Sequence, residues 1–260
     1  MTKANIKLDS VTKVFLENGA KQEILKDVSY NFESTKTYAI TGVSGVGKST
    51  LMHLLSGIDV PTSGKIYFGD SDINKFSRQE KELFFNKRIG LVFQEPCLIP
   101  ELSVLENVMI KGMIAAPDSY FDTSCSAKAS QATQYDRPFI SSIRRSIYAK
   151  ADVSRDDLKE RALSLLKMVG LENKSNSNPL KLSGGQQQRI AILRAIFNRP
   201  DFILADEPTG NLDEKSAKDV IDLLLKYHSE LNIGLIISSH DPEVYNSMKT
   251  VLRLVDHKLV

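Results

Sequence analysis

The sequence contains no tryptophan and only two cysteines, Cys97 and Cys125. Two thiols without metal-ligand spacing exclude a disulfide framework and a cysteine-based zinc site, and they fit a reducing compartment. An excess of charge of one sign is lacking too: 34 Lys and Arg face 32 Asp and Glu, a net +2. Bulk charge therefore supplies no basic field to gather nucleic acid or an anionic membrane, and no nucleic-acid partner is expected. No run of about 18 apolar residues occurs, and the start Met1-Thr2-Lys3-Ala4-Asn5-Ile6 lacks the apolar stretch of a signal peptide. The chain is expected to be soluble and to reach a membrane only through a partner. What is present is a chain of 260 residues, 42% hydrophobic and 25% charged, enough to bury the core of one large domain or of a domain with a subdomain.

The stretch Gly42-Val43-Ser44-Gly45-Val46-Gly47-Lys48-Ser49-Thr50 fits G-x-x-x-x-G-K-[ST] at every required position. A β-branched and aromatic run at 37–41 precedes it and a helical pattern at 51–55 follows, which is the strand, loop and helix context that a phosphate cradle needs. The glycines let backbone N–H groups turn towards phosphate oxygens at a helix N-terminus. Lys48 is placed to reach the β- and γ-phosphates and the Ser49 hydroxyl to ligate Mg²⁺.

Ahead of this loop, residues 5–40 read as strand-like runs at 6–8, 11–15, 24–25 and 28–32, broken at Asn18-Gly19 and expected to form an antiparallel sheet. Phe15 is the aromatic set against adenine, with simple core packing as the alternative. A turn at 61–64 leads to a strand at 65–69 and a helix at 77–86. The short buried strand 89–93 delivers Gln94 to its end, where an uncharged amide can touch Mg²⁺ or an attacking water; polar surface is the alternative. A helix is expected at 103–113. From about 115 to 154 periodicity fails, with Pro117 and Pro138 as breakers. This stretch reads as a long, partly disordered loop or insertion with a short helix near 143–148, and its basic cluster Arg144, Arg145 and Lys150 as a solvated face.

Residues 156–169 form an amphipathic helix pattern, with Leu158, Ala162, Leu165, Leu166 and Val169 on one face and Gly170 as its stop. Next, Leu182-Ser183-Gly184-Gly185-Gln186 opens a helix through 196, a second phosphate-binding terminus by the same physics. Its distance along the chain from the first cradle points to a second nucleotide contact. Phe202-Ile203-Leu204-Ala205-Asp206-Glu207 is an apolar strand ending in two acids. Asp206 is placed to hold Mg²⁺ through its water shell and Glu207 to polarise the water that attacks the γ-phosphate. Asn211-Leu212-Asp213 turns into a helix at 215–227, and the buried strand 234–239 sets His240 at its carboxyl end, the edge where ligands gather in open α/β sheets.

With these elements in this order, the chain resembles the ATP-binding subunit of an ABC transporter over most of its length. The Leu-Ser-Gly-Gly-Gln stretch is the most specific motif. The resemblance implies an α/β fold: a P-loop core with a mixed sheet flanked by helices, an N-terminal antiparallel β subdomain, and a helical signature subdomain. It divides one domain, 1–260, into a core of 1–93 with 200–260 and a helical part, 94–199. It also implies a homodimer with two ATP molecules sandwiched between Lys48's loop of one subunit and Ser183, Gly184 and Gly185 of the other. Phe15 then stacks on adenine in place of the family's usual Tyr. Gln94 couples the γ-phosphate and Mg²⁺ to a transmembrane permease, Asp213 lines the dimer interface, and His240 senses the γ-phosphate. The stretches 54–64, 105–108 and 205–213 are similar to lipoprotein-releasing (LolD-type) ATPases and their macrolide-exporter relatives, with the cell-division type also similar. A non-transport ATPase acting on DNA or ribosomes is the reading from another class; no heptad run and no second cassette supports it. The interval from Lys48 to Asp206 exceeds the family's usual length by roughly the extent of 115–154. Together these readings place the chain at the cytoplasmic face of the inner membrane, bound there through its permease.

Overall fold

The computed structural model describes residues 4–17, 19–114 and 155–260. The expected loop at 115–154, its short helix and the cluster Arg144, Arg145 and Lys150 lie outside the described residues. β1 (Ile6–Glu17) and β2 (Ala20–Phe32) make one long antiparallel hairpin. The separate runs expected at 6–8 and 11–15, and at 24–25 and 28–32, are therefore parts of single strands. Register shifts between Leu8 and Val11 and between Val11 and Lys13 insert extra residues, with Ser10 and Asp27 at φ +50 and +49. Such bulges break the alternation of side chains without ending the strand.

β3 (Thr37–Thr41) leads through the glycine-rich loop into α1 (Lys48–Ser56). β4 (Ser63–Phe68) pairs antiparallel with β1, and β5 (Ser71–Asp72) completes a sheet ordered β2-β1-β4-β5. α2 (Arg78–Lys87) starts on a reciprocal cap, the Ser77 hydroxyl accepting from the Glu80 N–H while the Glu80 carboxylate accepts from the Ser77 N–H. β6 (Ile89–Val92), α3 (Val104–Ile114), α4 (Arg155–Met168) and α5 (Gly184–Ile196) follow. Then come β7 (Phe202–Asp206), α6 (Glu214–Leu231), β8 (Gly234–Ser238), α7 (Pro242–Asn246), β9 (Thr250–Val255) and β10 (Lys258–Leu259).

The larger sheet is ordered β10-β9-β3-β8-β7-β6, and every pairing in it is parallel except that of β10. The fold is thus the expected α/β arrangement, a mixed sheet between helices with an antiparallel sheet beside it. Alternate residues of the parallel strands separate two cores. Ala39, Ile203, Ala205, Leu235 and Ile237 face the side of α3 to α6 with Val108, Ile192 and Phe197. Tyr38, Ile40, Phe202, Leu204 and Ile236 face α1 and the antiparallel sheet with Leu51, Leu54 and Phe32. Both faces are covered, which is why these strands read as unbroken apolar runs. Because β3, β6, β7 and β8 run the same way, their carboxyl ends share one edge, and Gly42, Gln94, Glu207 and His240 leave from it. The sequence reading stopped at His240 and missed β9, although its Leu252 and Leu254 are buried between exposed Val251, Arg253 and Val255, a legible period of two.

α3 is tied to the sheet by Lys111, whose ammonium donates to the Ile89 carbonyl at 2.6 Å and the Phe85 carbonyl at 3.3 Å. Burial, and secondarily the Arg194 guanidinium, pull its pKa from the ordinary 10.5 to about 8. Between these two values the unfolded chain binds more protons at this position than the folded one, so the group's contribution to stability rises with pH. The parent should therefore gain on Lys111→Met by up to ~3 kcal/mol as pH is raised through that window. Denaturant titrations giving parallel pH profiles for the two proteins would contradict this.

Candidate nucleotide site

The glycine-rich loop is built for close backbone approach. Gly47 takes φ +112, and a Cβ there would lie 2.5 Å from Ile24 Cγ2, so no other residue fits. No side chain caps the first turn of α1, leaving its N–H groups for a ligand. Ser44, Gly45 and Ser49 are exposed around it, with Val46 and Thr50 half-buried. Lys48 is 8% exposed, and its ammonium donates to the Gly42 carbonyl at 3.0 Å and the Val43 carbonyl at 3.4 Å. It also sits 3.5 Å from Glu207 Oε1. The structure therefore brings the cradle lysine and the proposed base together.

Glu207 is the pivot of the edge. Its φ is +46, a left-handed backbone that costs a non-glycine residue about 1 kcal/mol. The turn is held by the Glu207 N–H, which donates to the Ser238 carbonyl and to Ser238 Oγ, both at 3.1 Å. The Ser238 hydroxyl in turn donates to Asp206 Oδ1. One buried hydroxyl thus satisfies one acid and orients the backbone of the next. The other Glu207 oxygen, Oε2, lies 2.9 Å from His240 Nδ1, and the His240 ring is largely exposed. Gln94 is exposed, donates from Nε2 to Asn211 Oδ1 at 3.3 Å, and packs on Gly210, where a Cβ would meet Nε2 at 2.7 Å.

Among the described residues no cluster of three or more His, Cys, Asp and Glu could hold a metal unaided. Ser49, Asp206 and Gln94 fit a Mg²⁺ that takes much of its oxygen sphere from phosphates and water. Phe15 lies on β1 and is 41% exposed, which removes the core-packing alternative. The Lys13 ammonium stands 4.8 Å from the Phe15 ring centroid and is bound to Asp59 Oδ1 at 2.7 Å and the Val60 carbonyl at 2.8 Å.

The second phosphate element is not brought to the first. Ser183 caps α5, its hydroxyl accepting from the Gln186 N–H at 3.4 Å while Gln186 Oε1 accepts from the Ser183 N–H at 3.2 Å. Gly184 and Gly185 pack against Leu212 and Ser216. Among the described residues no hydrogen bond or ion pair joins residues 183–186 to the glycine-rich loop. Asp213 caps α6 by accepting from the Ser216 N–H at 3.0 Å; the Ser216 hydroxyl first, and this backbone bond second, hold its carboxyl below the ordinary value.

Sequence reasoning missed Ser238, Lys13 and Asp59. A serine at the end of an apolar strand, level with an acid on the next strand, is the one signal that pointed to the first. Ser238→Ala removes both bonds made by the hydroxyl; the Glu207 N–H keeps the Ser238 carbonyl while half-buried Asp206 loses a donor, so unfolding in denaturant should show a loss of about 1 kcal/mol. An unchanged midpoint would show that the turn at Glu207 holds without it.

Comparison with known proteins accords with this geometry. The family model described as ABC transporter matches residues 25–210. The chain is 35% identical over 247 residues to the lipoprotein-releasing system ATP-binding protein LolD of Legionella pneumophila (strain Paris), covering 95% of this chain and 93% of that one. It is 32% identical over 251 residues to the LolD of Idiomarina loihiensis, covering 96% and 94%. Among solved structures it resembles the ATP-binding cassette MJ0796, described as a dimer in a post-hydrolysis state with ADP and Pi, with TM-score 0.78, 31% identity and coverage of 98% and 96%. With the cradle, the two acids and the signature stretch on one scaffold, and a family model matching most of its length, the chain belongs to the ABC transporter family, as an ATP-binding and ATP-hydrolysing subunit.

Proposed function

We propose that this subunit drives a lipoprotein-releasing permease at the cytoplasmic face of the inner membrane, as a homodimer that closes on two ATP molecules. The observation that carries the reading is the match, at 32–35% identity over nearly the whole chain, to proteins named for lipoprotein release; those names favour this output over macrolide export or cell division. In each site Lys48 and the loop residues Gly42, Ser44, Gly45, Val46, Gly47 and Thr50 hold the phosphates, and Phe15 carries the adenine. Ser49, Asp206 and Gln94 hold Mg²⁺. Glu207 takes the proton of the attacking water, and His240, bonded to Glu207 Oε2, orients that carboxylate and contacts the γ-phosphate. Before nucleotide enters, Lys48 is held by two loop carbonyls and by Glu207. Phosphate oxygens replace those partners, and the exchange releases Glu207 to act as a base. Ser183, Gly184, Gly185 and Gln186 serve the partner subunit's nucleotide, which accounts for a capped, glycine-rich helix start with no link to its own cradle. The segments 1–93 with 200–260 and 94–199 act as catalytic core and permease-facing helical part.

Glu207→Gln should keep ATP binding, abolish turnover, and trap a dimer visible by size-exclusion chromatography with ATP and Mg²⁺; a variant that binds ATP yet stays monomeric would refute the sandwich. Lys48→Ala should weaken ATP binding by the monomer, whereas Ser183→Arg should spare it and block hydrolysis. Equal loss of monomer affinity in both would place Ser183 at its own subunit's ATP. For the transported class, affinity capture from membranes should recover a permease with a large extracytoplasmic domain, and recovery of ribosomal proteins instead would overturn the transport reading.

A further inference from the structure

The backbone just beyond β6 is gripped from one side by α5. Gln188, 1% exposed, donates from Nε2 to the Phe93 carbonyl at 2.9 Å. Its Oε1 is buried and has no hydrogen-bond partner among the described residues. Farther along the same helix, Arg194 donates to the Cys97 carbonyl at 2.7 Å and the Pro96 carbonyl at 2.8 Å. Side chains of α5 therefore hold carbonyls on both sides of Gln94. An amide that is buried and only half satisfied is a poor way to stabilise a core, because an apolar side chain of the same volume avoids the desolvation. What Gln188 supplies instead is a fixed link between α5 and the residue before Gln94.

We propose that Gln188 is a positioning residue that carries the placement of Ser183, Gly184 and Gly185, docked on the partner subunit's nucleotide, to Gln94 at its own subunit's nucleotide. This rests on the sandwich proposed above. Ser183 caps α5 and Gln188 lies in its early turns, so the two move together. The Phe93 carbonyl follows through the bond to Nε2, and Gln94 is the next residue. Among the described residues the Gln94 side chain makes one hydrogen bond, a long one to Asn211 at 3.3 Å, so its aim follows the backbone that carries it. Hydrolysis at one site is in this way gated by closure on the other, through a side chain that touches neither nucleotide.

The test uses mixed dimers with Glu207→Gln in one subunit, so that a single site hydrolyses. Gln188→Met, similar in volume but without the donor, is placed either in the subunit whose own cradle works or in the inactivated subunit, whose Ser183 element faces the working site. In the first arrangement single-turnover hydrolysis should fall by about 10- to 100-fold relative to the dimer without Gln188→Met, the scale of a misplaced catalytic group. In the second it should stay close to that control. Each dimer carries Gln188→Met in one of its two chains, so a folding defect caused by that substitution lowers both alike. Equal loss in the two, or loss only in the second, overturns the proposal. Failure of the control itself to form an ATP-dependent dimer overturns the sandwich, and is seen before any Gln188 variant is made.

Discussion

The carboxyl edge of the parallel sheet depends on one buried hydroxyl between two acids. β7 and β8 pair in parallel as far as Asp206 and Ser238, and there the ladder stops. A second carboxylate following the first along the strand would point to the opposite face of the sheet. The Ser238 hydroxyl bonds Asp206 and receives the Glu207 N–H, so the chain turns left-handed at that residue and carries the second acid to Lys48 and His240. The strain of the turn is local, and two bonds from neighbouring β8 over-determine it.

What was legible in the sequence follows from local rules. The glycine-rich loop is set by φ and by close approach at Gly47, and the parallel strands are set by continuous apolar runs. The start of α5 is set by a Ser and a Gln three residues apart, the reciprocal cap that the structure shows. What was not legible depends on partners far along the chain. The hairpin bulges answer to cross-strand neighbours, so one strand looked like two. Lys13 finds Asp59 across 46 residues, and Gln188 finds Phe93 across 95; neither pairing leaves a periodic trace. The exposure of Phe15 could not be read from a strand-end aromatic, whose pattern is the same in a core or on a surface. Residues 115–154 gave a compositional signal only.

The two cores divide the packing of the parallel sheet between its two faces. The core under α1 and the antiparallel sheet locks the loop, its helix and β1 together. The other lies beneath α3 to α6, and beyond the end of β6 the side chains of α5 add bonds to backbone carbonyls.

Lys13 gives the half that holds the loop a further property. Its ammonium covers the Phe15 ring while anchored to Asp59 and Val60, just beyond the end of the helix that begins at Lys48. With a cation across it, one face of the ring is already engaged within the chain. The cation is drawn to the negative face of the ring, so the orientation of Phe15 is tied, through Lys13, to the segment that follows the cradle's own helix.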